Sequence, residues 1–135
     1  MITAVDTNVL LDVFTADPRF GFPSRAALAS CLQQGSLVVC EVVWAETAAA
    51  FPTRPAFERA MQTLDIAFDP LAPPTAQAAG AVWRRYRQTG GTGRRVLADF
   101  LIGAHAASQA DRLLTRDRGY YKTYFPRLQI LDPAG

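Results

Sequence analysis

Apolar residues fall in short blocks separated by polar punctuation, and two kinds of block alternate along the chain. Ile2 to Val5 is a short apolar run ending at Asp6. After Thr7-Asn8 come Val9-Leu10-Leu11 and Val13-Phe14, so the pattern predicts a strand, a helix cap and a helix. Pro18 and Gly21 mark a loop. Pro23-Ser24 opens a second helix through Ala26, Ala27, Leu28 and Leu32, which Gly35 stops. Ser36 to Cys40 is apolar on both sides, as a strand buried in a parallel sheet should be. A third helix carries Val42, Val43, Trp44 and Glu46, runs into an alanine stretch and breaks at Pro52.

Thr53 caps a further helix, with Pro55 in its first turn and Phe57, Met61 and Leu64 at helical spacing, and a short strand follows near Ile66 to Phe68. Pro73-Pro74-Thr75 starts a helix that ends in the polar, basic run Trp83-Arg84-Arg85-Tyr86-Arg87. Gly90 to Arg95 reads as the most flexible segment, because its glycines leave little side chain to pack. Val96 to Gln109 predicts a strong helix, Arg112 to Thr115 a strand, Arg118 to Tyr124 a turn or short helix, and Leu128 to Leu131 a last strand. Strands alternating with helices imply βαβ units and a three-layer α/β/α sandwich around a central, mostly parallel sheet. In such sheets ligands bind outside the carboxyl ends of the strands, so the residues just after each strand matter most.

Length and composition narrow the class. At 135 residues, half of them hydrophobic and 19% charged, the chain is expected to be one folded domain spanning 1–135. No apolar run reaches the ~18 residues of a membrane span, and Asp6 and Asp12 interrupt any leader-like core, so a soluble, cytoplasmic protein without membrane contact is expected. Cys31 and Cys40 read as free buried thiols. Two thiols and the lone His105 do not make a Cys/His metal centre, so any metal would need oxygen ligands. Fourteen basic against 12 acidic residues give a net charge of +2, too mild to announce a nucleic-acid binder. Lys122 is the only lysine, and the arginines cluster at Arg84, Arg85, Arg87, Arg94 and Arg95.

The acidic residues carry the chemistry. Asp6 follows the first predicted strand, and Asp117 comes just after the strand ending at Thr115, so both point at one sheet edge. Glu46 sits beside Trp44 and Ala48 to Ala50, a setting expected to offer little water. Asp99 interrupts the apolar Val96-Leu97-Ala98 and Phe100-Leu101-Ile102, where a carboxylate is costly to bury without compensation. Gly103 and Ala106 share its helix face and are expected to leave space around it. Each acid also has an ordinary role open to it: a cap for Asp6, ion pairs for Glu46 and Asp99, a turn for Asp117. Gathered at one edge, however, the four would repel one another unless a hard divalent cation held them.

The motifs Val5-Asp6-Thr7-Asn8-Val9-Leu10-Leu11-Asp12, Trp44-Ala45-Glu46, Ala98-Asp99-Phe100-Leu101-Ile102-Gly103-Ala104-His105-Ala106 and Leu114-Thr115-Arg116-Asp117, taken in order, resemble the acidic motifs of PIN-domain ribonucleases, specifically the VapC toxins of bacterial toxin–antitoxin pairs. The resemblance covers essentially the whole chain. It implies a PIN-like fold and a Mg²⁺- or Mn²⁺-dependent endoribonuclease that cleaves RNA, is held in check by a cognate antitoxin protein and forms a homodimer. It also implies that Asp6, Glu46, Asp99 and Asp117 are the catalytic, metal-holding acids, with Asn8 and Thr115 orienting them. The third motif more often carries a small residue where His105 stands.

An acidic cleft repels RNA, so arginines must surround it; Arg84, Arg85, Arg87, Arg94, Arg95, Arg116 and Arg118 are the candidates. His105 lies about 240° around the helix from Asp99 and is expected to be packed and structural. Glu41 falls on a different face from Glu46, and Asp12, one turn beyond Asn8 and within reach of the site rim, is expected to be solvent-exposed instead. Trp83, Tyr86, Tyr120 and Tyr121 are expected to fill a core or subunit interface rather than stack on bases. Two rival classes remain open: a haloacid-dehalogenase-like phosphatase and a catalytically silent α/β binding module. The phosphatase chemistry wants a second Asp where this chain has Asn8, and the silent module has no use for four acids.

Overall fold

The computed structural model describes residues 1–93 and 96–135; Arg94 and Arg95 lie outside the described residues. Strands and helices alternate in the order β1 (Ile2–Val5), α1 (Thr7–Phe14), α2 (Gly21–Gln34), β2 (Ser36–Val39), α3 (Glu41–Ala48), α4 (Arg54–Thr63), β3 (Ile66–Phe68), α5 (Pro73–Gln88), α6 (Val96–Gln109), β4 (Arg112–Leu114), α7 (Arg118–Tyr124) and β5 (Ile130–Leu131). The strands form one parallel sheet ordered β3-β2-β1-β4-β5. Successive strands step outward from β1 in one direction through β2 to β3, and the chain then crosses to the other side for β4 and β5. The order therefore reverses between β1 and β4, which makes the carboxyl ends of that pair the switch-point crevice of the sheet.

Successive residues of a strand point to opposite faces. Thr3, Ala4 and Val5 in β1 are all buried, as are Arg112, Leu113 and Leu114 in β4, so both faces of the sheet are covered and the architecture is a three-layer α/β/α sandwich. Leu37, Val39, Val9, Leu10, Leu28, Val43, Phe57, Met61 and Ile102 join them in the main core. A smaller core of Ala79, Val82, Phe100 and Ala104 lies between α5 and α6, with Trp83, Tyr86, Tyr120 and Tyr124 packed around it. Arg112 is tolerated in the middle of the sheet because its guanidinium donates to Thr3 Oγ1 and to Gln34 Oε1. Cys31 and Cys40 are free and buried.

Local signals account for most element ends. Thr53 caps α4 by accepting from the Ala56 amide at 3.3 Å, with Pro55 in the first turn. Gly35 ends α2 where a Cβ would stand 1.8 Å from the Met1 carbonyl oxygen, so the residue must be glycine for the chain to pass β1. Helix α2 begins two residues earlier than Pro23-Ser24 implies, because Asp17 Oδ1 accepts from the Arg19 and Phe20 amides and turns the chain into the helix. Pro23 then falls in the first turn, where an amide hydrogen has no helical partner in any case. Helix α3 stops at Ala48; the Ala49 amide closes the last helical bond to Ala45 O, and beyond it come tighter bonds, Ala50 N to Thr47 O and Phe51 N to Ala48 O. The last strand is shorter than expected because the Leu128 amide turns back to Phe125 O, and pairing with β4 starts only at Gln129.

Glycines let the backbone lie against aromatic rings at two places. A Cβ on Gly91 would lie 2.4 Å from the Tyr86 ring, and the Gly93 amide donates to the Tyr86 hydroxyl at 3.1 Å. Gly103 does not leave the expected space beside Asp99, because the Phe125 ring fills it, 2.4 Å from where a Cβ would be.

Candidate functional site

Asp6 sits where β1 passes into α1, in extended conformation, with Oδ1 accepting from the Thr7 amide at 2.7 Å. It thus serves as the helix cap, and its other oxygen is left free for tertiary work. Oδ2 accepts from the Thr115 hydroxyl at 2.8 Å, the Tyr121 hydroxyl at 3.1 Å and Asn8 Nδ2 at 3.5 Å. Burial raises the Asp6 pKa above the usual carboxylate value; the Thr115, Tyr121 and Thr7 bonds pull it back down, and the Glu46 charge adds to the rise.

Thr115, just past β4, is fully buried. Its hydroxyl also accepts from the Asp117 amide at 3.0 Å, so one side chain ties the loops after β1 and β4 together across the switch point. Asn8 completes the tie, accepting from the Arg116 amide at 3.3 Å and donating toward Thr115 Oγ1 at 3.4 Å. Asp117 precedes α7 without making a side-chain capping bond, and its carboxylate is exposed. The turn role thus leaves its charge available.

Glu46 is exposed rather than shielded. Helix α3 turns Val43 and Thr47 inward, which sends Glu46 to the cleft side, where its Oε1 accepts from the Thr7 hydroxyl at 2.7 Å. Asp99 lies half-buried in the first turn of α6. Its pKa is pushed up to about 6, first by burial and then by the charges of Asp6, Asp117 and Glu46. Four carboxylates from four separate segments therefore share one electrostatic field.

These acids offer only oxygen ligands. Among the described residues no three potential ligand side chains are grouped closely enough to hold an ion by themselves. Mg²⁺ asks for less, since it keeps several waters and is held by one or two carboxylates together with a substrate phosphate. The donor set is of the kind that hard cations take, and the unrelieved repulsion felt by Asp99 is what such an ion would remove.

Other expected residues divide. Arg84, Arg85 and Arg87 are exposed on α5, with Arg87 stacked over the Trp83 ring at 5.3 Å. Arg118 pairs with Asp132 at 3.2 Å and stays half exposed. Arg116 is engaged by Asp12, through Nε at 2.7 Å and Nη2 at 2.9 Å. Asp12 itself is buried, contrary to expectation, because Arg116 and Ser24 compensate it. His105 is packed as expected, with Nε2 2.9 Å from Asp69 Oδ2. Glu41 accepts from the Leu71 amide at 2.9 Å, away from Glu46. Tyr120 stacks on Phe100 in the smaller core.

Tyr121 fills the main core as expected, but its hydroxyl also donates to Asp6 Oδ2, a part in the site that nothing in the sequence pattern signals.

A parallel sheet whose strand order reverses between β1 and β4 belongs to the open α/β class, in which ligands bind outside the carboxyl ends of the strands at the switch point. The PIN-domain family model matches residues 3–126, and the chain belongs to the PIN-domain family. Its fold is similar to a chain of VapBC-1 from nontypeable Haemophilus influenzae, at 20% identity over 100% of both chains with a TM-score of 0.74. It is also similar to a chain of VapBC2 from Rickettsia felis bound to a DNA fragment from their promoter, at 17% identity over 98% of each and a TM-score of 0.73. A chain of a toxin–antitoxin complex from Klebsiella pneumoniae is similar at 19% identity over 97% of each, with a TM-score of 0.68. No curated protein matches the sequence. Among the described residues no helix is long and apolar enough to cross a membrane.

Proposed function

We propose that the chain, as a single PIN domain, is a Mg²⁺- or Mn²⁺-dependent endoribonuclease acting in the cytoplasm as the toxin of a VapC-type toxin–antitoxin pair. The observation that carries this is the common field of Asp6, Glu46, Asp99 and Asp117 at the switch point, registered in the raised Asp99 carboxyl. Membership of the PIN family and the likeness to a toxin–antitoxin complex support it.

The chain's residues divide the labour. Asp6 and Asp99 would hold the ion, with Glu46 and Asp117 completing the negative field. A bound divalent ion would supply polarisation of the phosphodiester and a lowered pKa for the attacking water. Thr115 and Tyr121 hold Asp6 Oδ2, and the Thr7 amide holds Oδ1, so this carboxylate is oriented before any ligand arrives. Thr7 orients Glu46 through its hydroxyl. The exposed Arg84, Arg85 and Arg87, together with Arg118, offset the repulsion between the acids and an RNA backbone.

The shared negative field of the four carboxylates also suits an arginine from a cognate antitoxin, since a guanidinium pairs bidentately with acids and competes with the ion. A homodimer would present two such sites. The test is RNA cleavage with Mn²⁺, with Mg²⁺ and with a chelator, for wild type and Asp99→Asn, alongside growth of cells expressing each. Metal-dependent cleavage lost in the variant, with growth arrest relieved by the neighbouring gene's product, is the expected result. Metal-independent cleavage, or a fully active variant, overturns the assignment.

A further inference from the structure

Arg116 and Asp12 stand outside the four acids, yet they join those acids to the α1–α2 hairpin. The guanidinium meets Asp12 through two bonds, Nε to Oδ2 at 2.7 Å and Nη2 to Oδ1 at 2.9 Å. Asp12 is 3% exposed, and its Oδ2 also accepts from the Ser24 hydroxyl in α2 at 2.8 Å. The Phe20 ring lies under the guanidinium, 4.0 Å from its central carbon, and the Phe20 amide is in turn held by Asp17 Oδ1 at 2.8 Å. The fork is thus gripped along its edge by a carboxylate and on its face by a ring. Arginine alone among the cations can be fixed in this way, in both position and plane.

What this grip holds in place lies on either side of Arg116 in the chain. Thr115 before it donates to Asp6 Oδ2, and the Asp117 amide after it donates back to Thr115 Oγ1. The Arg116 amide itself donates to Asn8 Oδ1. Asp117 is exposed and makes no capping bond with its side chain, so its position depends on the loop that carries it. A salt bridge built on a nearly dry carboxylate is a poor device for stability alone, because desolvation offsets much of the attraction. It is a good device for specifying one loop geometry.

We propose that the Asp12–Arg116 pair sets the position of Thr115 and Asp117 for the metal site, making Arg116 a positioning residue and not a phosphate contact. This rests on the nuclease function proposed above. With two of its three nitrogens committed to Asp12 and its face covered by Phe20, Arg116 has little left to offer RNA.

The test compares Asp12→Asn, Arg116→Gln, their double variant and Arg116→Lys in the full chain, with Mn²⁺ as the ion. Phe20→Leu, which removes only the ring beneath the guanidinium, serves as a milder probe should the others fold poorly. Mn²⁺ affinity by calorimetry, kcat, KM, the salt dependence of RNA binding and melting temperature are measured for each. Both single variants should weaken Mn²⁺ binding and lower kcat about ten- to hundredfold, the scale of a small misplacement of reacting groups. KM and the salt slope should stay at wild-type values, and the double variant should be no worse than the poorer single one. Arg116→Lys should behave like Arg116→Gln, because it keeps the charge and loses the fork.

A reduced salt slope in Arg116→Gln but not in Asp12→Asn overturns the proposal in favour of a phosphate contact. A lower melting temperature with Mn²⁺ affinity and kcat intact overturns it in favour of a purely structural pair. If wild type itself neither binds Mn²⁺ nor cleaves RNA, the nuclease function falls and this proposal falls with it. An active, metal-binding wild type beside unaffected variants defeats the proposal alone.

Discussion

Tyr121 donates its hydroxyl to Asp6 Oδ2 at 3.1 Å from a ring that is only 1% exposed. The bond ties α7 to the acid at the end of β1 and is one of the few forces keeping a desolvated carboxylate charged. Removing the hydroxyl alone, in Tyr121→Phe, leaves the ring in place and the carboxylate short of a donor. Stability near pH 7 should fall by about 1.5 to 3 kcal/mol, the usual worth of a hydrogen bond to a charged group. The loss should shrink as pH falls and Asp6 takes up a proton. Urea unfolding at several pH values checks this; an equal loss at every pH would mean that the bond does not favour the charged form.

Asp99 makes the stability of the metal-free protein depend on pH. Its folded-state pKa is about 6, whereas an unfolded carboxyl titrates near ~3.9. Between those values the native state binds the extra proton, so stability from this group is fully present below the unfolded pKa and is lost as pH rises through about 6. The raised Asp6 pKa acts in the same direction. Melting temperature in chelator should therefore decline from pH 4 to 7, Asp99→Asn should flatten the decline, and Mn²⁺ should restore stability most at the upper end. A chelated protein that gains stability across that range would contradict the repulsion inferred among the acids.

His105 is a structural residue in this fold, bonded to Asp69, which Gln109 also engages through Oδ2 at 3.1 Å. His105→Ala should cost about 2 to 4 kcal/mol from the cavity and the lost partner of Asp69. Turnover per folded molecule should remain at the wild-type level. Collapse of kcat at a temperature where the variant is still folded would give His105 a part in the chemistry.

Arg84, Arg85 and Arg87 form the exposed basic end of α5. Changing all three to Gln should weaken RNA binding and lower the log–log salt slope by about 0.7 to 0.9 for each phosphate the variant no longer neutralises. Mn²⁺ affinity should not move. An unchanged slope would take this face of α5 off the RNA path.

Much of this protein is local. A strand ending in Asp6, followed by a polar pair and an apolar helix, needs only neighbouring residues to form, and the same holds for the Thr53-Pro55 start of α4 and the glycine stop at Gly35. The alternation of such units was enough to determine the parallel sheet, and the sheet was enough to send Asp6 and Asp117 to one edge.

Burial of polar groups is different, because it depends on what stands opposite. Periodicity tells which face of a helix a residue occupies but is silent about the element that covers the face. Asp12 reads as exposed until Arg116, 104 residues away, is folded against it. Glu46 reads as shielded because its sequence neighbours are apolar, yet α3 turns Val43 and Thr47 inward and leaves Glu46 in water. Gly103 reads as space beside Asp99 and instead makes room for Phe125. Tyr121 gained its role only when α7 brought its hydroxyl over Asp6. The sequence alone determined the elements, their order and the acids at the sheet edge; tertiary packing decided which polar groups are buried and which carboxylate each donor serves, because a desolvated charge is tolerated only where a distant partner meets it.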